Sequence, residues 1–134
     1  MYMLDTNILV RAIRHADDPV CSRIYQEYGG NLCISSITYA ELVYGAKHSS
    51  NYEKNIQAMQ ALLSGIYILS FDTAAAYEAG DVLAYLATIG KPISDRDALI
   101  AAHARALSIP LVTHNTGEFS RVPGLVLEDW LMGE

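Results

Sequence analysis

The chain predicts an α/β fold: an α/β/α sandwich around a central, mainly parallel sheet of four to five strands. Three observations carry this. Short apolar runs alternate along the chain with longer segments of helical periodicity. The apolar runs are almost unbroken by polar residues, as strands covered on both faces are. Glycine, proline and aspartate punctuate the segments, and a strand–helix alternation of this kind builds parallel sheets with helices on either side.

The first strand is Tyr2–Leu4, "YML". "NILVRAIRHA" then places Ile8, Leu9, Ala12 and Ile13 on one helical face. Asp17–Pro19 breaks this helix, and Pro19 is suited to begin the next, which runs to about Tyr28 and stops at Gly29-Gly30. Leu32–Ser35 is the second strand; "ITYAELVYGAK" and Tyr52–Ser64 are helices separated by a polar break. Ile66–Ser70 reads as the third strand, followed by an alanine-rich helix from Phe71 to Gly90 and another over Ser94–Ser108. Pro110–Asn115 gives the fourth strand and Gly124–Asp129 a fifth at an edge.

With 134 residues, 51% of them hydrophobic and 18% charged, the chain suits a single globular domain over 1–134. No apolar run approaches the roughly 18–20 residues of a membrane helix. The opening residues lack a basic stretch followed by an apolar core, so a cytoplasmic location without a signal peptide is expected. Cys21 and Cys33 fall in a helix and a strand without metal-ligand spacing, which reads as buried thiols rather than a disulfide. A net charge of −6 argues against broad, non-specific nucleic-acid binding. It leaves room for a nucleic-acid enzyme whose carboxylates hold metal ions, because the ions invert the local field.

In such a sheet the functional crevice lies beyond the carboxyl ends of the strands. Asp5 ends the first strand there. Glu41 sits in the first turn of the helix leaving the second strand, and Asp97 in the first turn of the helix leading into the fourth. "VTHN" brings Asn115, and then Glu118, to the same edge. Each acid also has a local explanation: Thr38-x-x-Glu41 fits a capping box, Ser94-x-x-Asp97 a variant of one, and acids suit helix N-termini generally. Asp5 fits that reading less well, since Thr6 and Asn7 offer uncharged caps. Crowded carboxylates repel one another without a counter-charge, and Arg96 is the one obvious cation beside them. A hard divalent ion, Mg²⁺ or Mn²⁺, matches an all-oxygen donor set. Arg11, Arg14 and His15 form a basic cluster on or just after the helix behind Asp5, and Lys47 and His48 end the helix carrying Glu41; both groups are candidates for phosphate contacts. His103 reads as a packed residue of its alanine-rich helix, and Trp130 as a packing anchor for the C-terminal segment.

"MLDTNILV", "ISSITYAELVYGA", "GKPISDRDALIAAHA" and "LVTHNTGEF", in this order, closely resemble the VapC toxins of the PIN-domain ribonuclease family. The likeness extends to "LEDW" near the end. It implies a Mg²⁺- or Mn²⁺-dependent endoribonuclease of a type II toxin–antitoxin system, dimeric and blocked by a VapB-type antitoxin that makes the operon DNA contact. By motif, Asp5, Glu41 and Asp97 would be catalytic and metal-binding, with Asp95, a neighbouring carboxylate, ranked below Asp97. The fourth acid of the family pattern falls on Asn115, with Glu118 three residues on, so an amide stands where a second metal ligand is usual. Arg96 would position substrate. The substrate implied is RNA, by resemblance tRNA and in particular the anticodon stem-loop of initiator tRNA, cut to leave a 5′-phosphate and a 3′-hydroxyl.

Rival α/β readings fail on residues. A haloacid-dehalogenase phosphatase needs a second aspartate where Asn7 stands, and a receiver domain needs adjacent acids after the first strand and a lysine ending a late one. The remaining alternative is a catalytically inert PIN-like binding module, which would tolerate loss of Asp5, Glu41 and Asp97.

Overall fold

The computed structural model describes residues 1–131. Five strands, β1 (Tyr2–Leu4), β2 (Leu32–Ser35), β3 (Tyr67–Leu69), β4 (Leu111–Val112) and β5 (Leu127–Glu128), form one sheet in the order β3-β2-β1-β4-β5. Every pairing is parallel. The helices are α1 (Thr6–Arg14), α2 (Pro19–Gln26), α3 (Ser36–Lys47), α4 (Tyr52–Leu63), α5 (Thr73–Ile89), α6 (Asp95–Leu107) and the short α7 (Thr116–Phe119).

The sandwich follows from the period-2 direction of strand side chains. Leu4, Leu32, Ile34 and Val112 point to one face, where Ile8 and Leu9 of α1, Ile24 of α2, Leu42 of α3 and Met59 of α4 cover them. Met3, Cys33 and Leu111 point to the other, under Val82 and Leu86 of α5, Ile100 of α6, and Phe119. β2 and β4 are buried on both faces, as is β1 from Met3 onward, which is why these strands read as apolar runs. Tyr67 and Ile68 of the edge strand β3, by contrast, are exposed. Both cysteines are free and buried, as expected, and burial pushes the Cys33 thiol up to about 11. Trp130 closes the first face, edge-on to Tyr2 at 5.3 Å and with the Arg23 guanidinium 4.3 Å above its ring.

The structure corrects several boundaries. β3, β4 and β5 are shorter than the expected Ile66–Ser70, Pro110–Asn115 and Gly124–Asp129; β4 ends where Thr113 turns its side chain to Asp5. α1 begins at Thr6 rather than Asn7, with Asp5 itself at the N-cap position, so neither Thr6 nor Asn7 caps it. α3 is capped by Ser35, whose hydroxyl accepts from the Ile37 N–H at 3.1 Å, so Thr38 does not form a capping box and lies buried inside the helix. The Ser94 cap is present: its hydroxyl accepts from the Asp97 N–H at 3.2 Å. α5 starts at Thr73 behind an Asp72 cap rather than at Phe71. α7 is a single helical turn that the sequence pattern does not announce.

Two glycines separate packing from propensity. Gly80 lies mid-helix in α5 with open space where a Cβ would go, whereas a Cβ on Gly65 would enter the ring of Tyr28, whose hydroxyl donates to the Leu62 carbonyl. Gly80→Ala should raise the unfolding free energy by about 0.5–1 kcal/mol. Gly65→Ala should lower it by about 1–3 kcal/mol through overpacking. Urea denaturation at equal slope compares the two; a shift in the same direction for both would contradict this packing.

Candidate active site

β1 is flanked by β2 on one side and β4 on the other, so the chain order reverses about it. Asp5 follows β1 at this switch point, where open α/β sheets form their crevice. It is 1% exposed. Its backbone N–H donates to the Val112 carbonyl at 2.9 Å, and its carboxylate accepts from the Thr113 hydroxyl at 2.7 Å. Burial pushes the carboxyl up. The Thr113 hydrogen bond and the amides of Thr6 and Asn7 pull the other way, and the Glu41 charge adds to the rise.

Asp97 enters from the first turn of α6. Burial pushes it up to about 6; the Ser94 hydroxyl opposes this, and the charges of Asp5 and Glu118 reinforce it. Glu118 comes from α7, where its carboxylate accepts from Asn115 Nδ2 at 2.7 Å and from the Ser94 N–H at 3.4 Å. Glu41 projects from α3. It accepts from the Thr6 hydroxyl at 2.6 Å, and Arg96 Nη1 stands 3.6 Å from its other oxygen. That ion pair is largely exposed on the arginine side and stabilises little. Arg96 thus answers Glu41, not Asp95, which is exposed.

The topology therefore gathers Asp5, Asp97 and Glu118 electrostatically, with Glu41 beside Asp5. It does not close them into one ligand shell: among the described residues no three His, Cys, Asp or Glu side chains stand together closely enough to share an ion. The donor set is all oxygen, and two of its carboxyls are held up by burial and by neighbouring negative charge, Glu41 for Asp5 and both Asp5 and Glu118 for Asp97. Such chemistry fits a hard divalent cation, with Asp5 and Asp97 the pair most in need of one.

Residues 2–125 match the PIN domain family model. The chain belongs to the PIN-domain family. Within it, the chain is 43% identical over 129 residues to the tRNA(fMet)-specific endonuclease VapC of Shigella flexneri, covering 96% of this chain and 97% of that one. It is 42% identical to ribonuclease VapC2 of Haemophilus influenzae, covering 97% and 98%. The fold superposes on VapBC2 of Rickettsia felis bound to a promoter DNA fragment with a TM-score of 0.90 at 38% identity, covering 96% and 98%. DNA-bound VapBC of Salmonella typhimurium gives 0.91 at 38% identity, covering 96% and 97%.

The sequence reading of this PIN-domain site missed its threonines. Thr113 donates to Asp5 and accepts from the Asn115 N–H at 3.0 Å, while Thr6 Oγ1 lies 3.2 Å from Thr38 Oγ1 as well as holding Glu41. The signal available was the adjacency of Thr6 to Asp5 and of Thr113 to the sheet edge. His103 is buried, as expected of a packed residue. Its Nδ1 lies 2.8 Å from Ser35 Oγ, tying α6 to the cap of α3, and burial lowers its pKa.

The raised Asp97 carboxyl gives a signed prediction for protein kept in EDTA. A proton bound more tightly in the folded chain, at about 6 against 3.8, favours folding at low pH, and this advantage is lost as pH rises through 6. Relative to wild type, Asp97→Asn should therefore gain stability between about pH 4 and pH 6.5 in urea titrations. A difference that stays flat across that window would show that Asp97 is not held up.

Proposed function

We propose that this PIN-domain chain is the toxin of a type II toxin–antitoxin pair: an endoribonuclease, dependent on Mg²⁺ or Mn²⁺, that hydrolyses tRNA. The observation that carries it is a carboxylate buried at the sheet's switch point beside a second raised carboxylate, Asp5 and Asp97. Similarity over nearly the whole length to an initiator-tRNA endonuclease supports the substrate.

Hydrolysis adds water across a phosphodiester bond, leaving a 5′-phosphate and a 3′-hydroxyl. Asp5 and Asp97 would hold the divalent ion, with Glu41 and Glu118 completing the oxygen donors. When bound, such an ion lowers the pKa of a coordinated water and offsets charge on phosphate oxygens. Thr113 fixes the Asp5 carboxylate through a buried hydrogen bond, so its orientation is set before substrate arrives. Glu41, held by Thr6, orients the attacking water or takes its proton. Asn115, an amide where the family pattern has an acid, steers Glu118 and supplies no charge of its own; this favours a single tightly held ion. Arg96, exposed and only loosely paired with Glu41, is placed to meet a phosphate instead.

A VapB-type antitoxin would block this edge in a toxin–antitoxin complex built on a homodimer, with the operon DNA contacted by the antitoxin. The solved VapBC complexes that the chain resembles support the pairing. The inert binding module remains the second reading, and the engagement of Glu41 by Thr6 and Arg96 is the observation on its side.

The test uses antitoxin-free protein and total tRNA with Mg²⁺, with EDTA, and with Asp5→Ala beside wild type. Discrete cleavage that EDTA abolishes, and that Asp5→Ala lowers on the order of 10²-fold or more, is expected. Intact tRNA in every lane would select the inert module or a different RNA substrate, and equal cutting by a folded Asp5→Ala would make Asp5 a structural cap and overturn this site.

A further inference from the structure

Beside the acidic edge lies an open groove of about 870 Å³ between α1, the start of α2 and the end of β4. Its size is within the roughly 300–1,000 Å³ typical of ligand sites. Asn7, Arg11, Arg14, His15, His114 and Asn115 supply its donors, and Asp17 and Asp18 also line it. Not all of these are available. Asp18 caps α2 through the Val20 N–H and takes Arg11 Nε at 2.7 Å, and His114 lies 2.9 Å from Asp129. Arg14, His15 and Asn7 are exposed, and among the described residues their side chains make no hydrogen bond or ion pair. We propose that this groove is an RNA-backbone track, in which Arg14 and His15 hold phosphates flanking the scissile one and Asn7 and Asn115 mark its junction with the carboxylates.

The proposal rests on the nuclease reading and extends it to where the rest of the strand goes. Continuity carries it. Asn7 is two residues past Asp5, and the Asn115 N–H donates to the Thr113 hydroxyl that holds Asp5, so the groove begins where the buried carboxylate ends. α1 rises about 1.5 Å per residue, which puts Arg14 about 10 Å along the axis from Asn7, a short stretch of backbone away. Arg14 also lines the small hollow of about 90 Å³ that contains Glu41, so it borders the site on two sides. Cations at the end of α1 suit its dipole, but the dipole does not explain a groove in front of them. The net charge of −6 sharpens the point: a polyanion reaching this edge needs local cations that are not already neutralised. An acidic peptide would find the same charges, but only a phosphodiester strand must run on from Asp5.

Binding of labelled tRNA is measured by anisotropy in Mg²⁺ across a salt series, in an Asp97→Asn background that prevents cutting. Arg14→Gln and His15→Gln are compared with Lys54→Gln, an exposed change on α4. Cleavage kinetics are run in the wild-type background. Arg14→Gln should flatten the slope of log Kd against log salt by about 0.7–0.9, raise KM several-fold and leave kcat nearly unchanged; Lys54→Gln should alter none of these. Unchanged affinity and slope for Arg14→Gln and His15→Gln would overturn the track, as would a loss confined to antitoxin affinity. If wild type binds tRNA with an Arg14-dependent slope yet does not cut it, the track stands and the nuclease reading falls.

Discussion

A carboxylate buried almost completely at the middle of a parallel sheet is the constraint on which the rest of this structure depends. Asp5 is followed at once by α1, and both its neighbours in the sheet are paired. Moving a charged group out of water is costly unless it is hydrogen-bonded and balanced by opposite charge. Thr113 provides the first, and the amides opening α1 help. Nothing in the described chain provides the second. Arg96 is spent on Glu41, and the other charges nearest Asp5 and Asp97 are negative. The fold therefore tolerates a standing electrostatic debt at one edge, and such concentrations of perturbed groups belong to functional sites more often than to structural ones.

That debt explains the local hydrogen bonding. Thr6, Thr38 and Thr113 surround the acids with hydroxyls, which can orient a carboxylate without neutralising it. A lysine in the same place would have settled the charge and removed the need for a cation. The serines do similar work one layer back. Ser94 fixes the first turn of α6, and Ser35, paired with His103, fixes that of α3, so the helices delivering Asp97 and Glu41 start from defined points.

Much of this was legible in the sequence, for reasons that can be named. Unbroken apolar runs such as "YML" and "LCIS" announce strands covered on both faces, and parallel pairing then puts Asp5, Asp97 and Glu118 on a common edge without any coordinates. Boundaries were less legible where a side chain competes with a periodic signal. β4 looks long because β-branched Thr113 continues from Leu111 and Val112 and no turn residue intervenes before Asn115, yet Thr113 is committed to Asp5 and ends the strand. The Thr38-x-x-Glu41 spacing fits a capping box; the backbone entering from β2 instead puts Ser35 at the cap and turns Thr38 inward. The shared edge of the acids was readable, but their relative orientation was not, because Thr6 and Arg96 fix Glu41 from distant parts of the chain, each through a different carboxylate oxygen.

The same logic bears on how an acidic protein meets RNA. Long-range attraction is unavailable to a chain of net charge −6, so recognition must be local and shaped. Several of its cations are committed elsewhere: Arg105 bridges Glu78 and Asp81, Arg23 covers Trp130, and Arg11 answers Asp18. Arg14, which makes no ion pair among the described residues, lies beside the carboxylate edge. A nuclease built this way gains little non-specific affinity, so discrimination falls to the shape of the strand that can place a phosphate at Asp5 while reaching the neighbouring cations. This is the arrangement expected of an enzyme that acts on one folded RNA rather than on RNA at large.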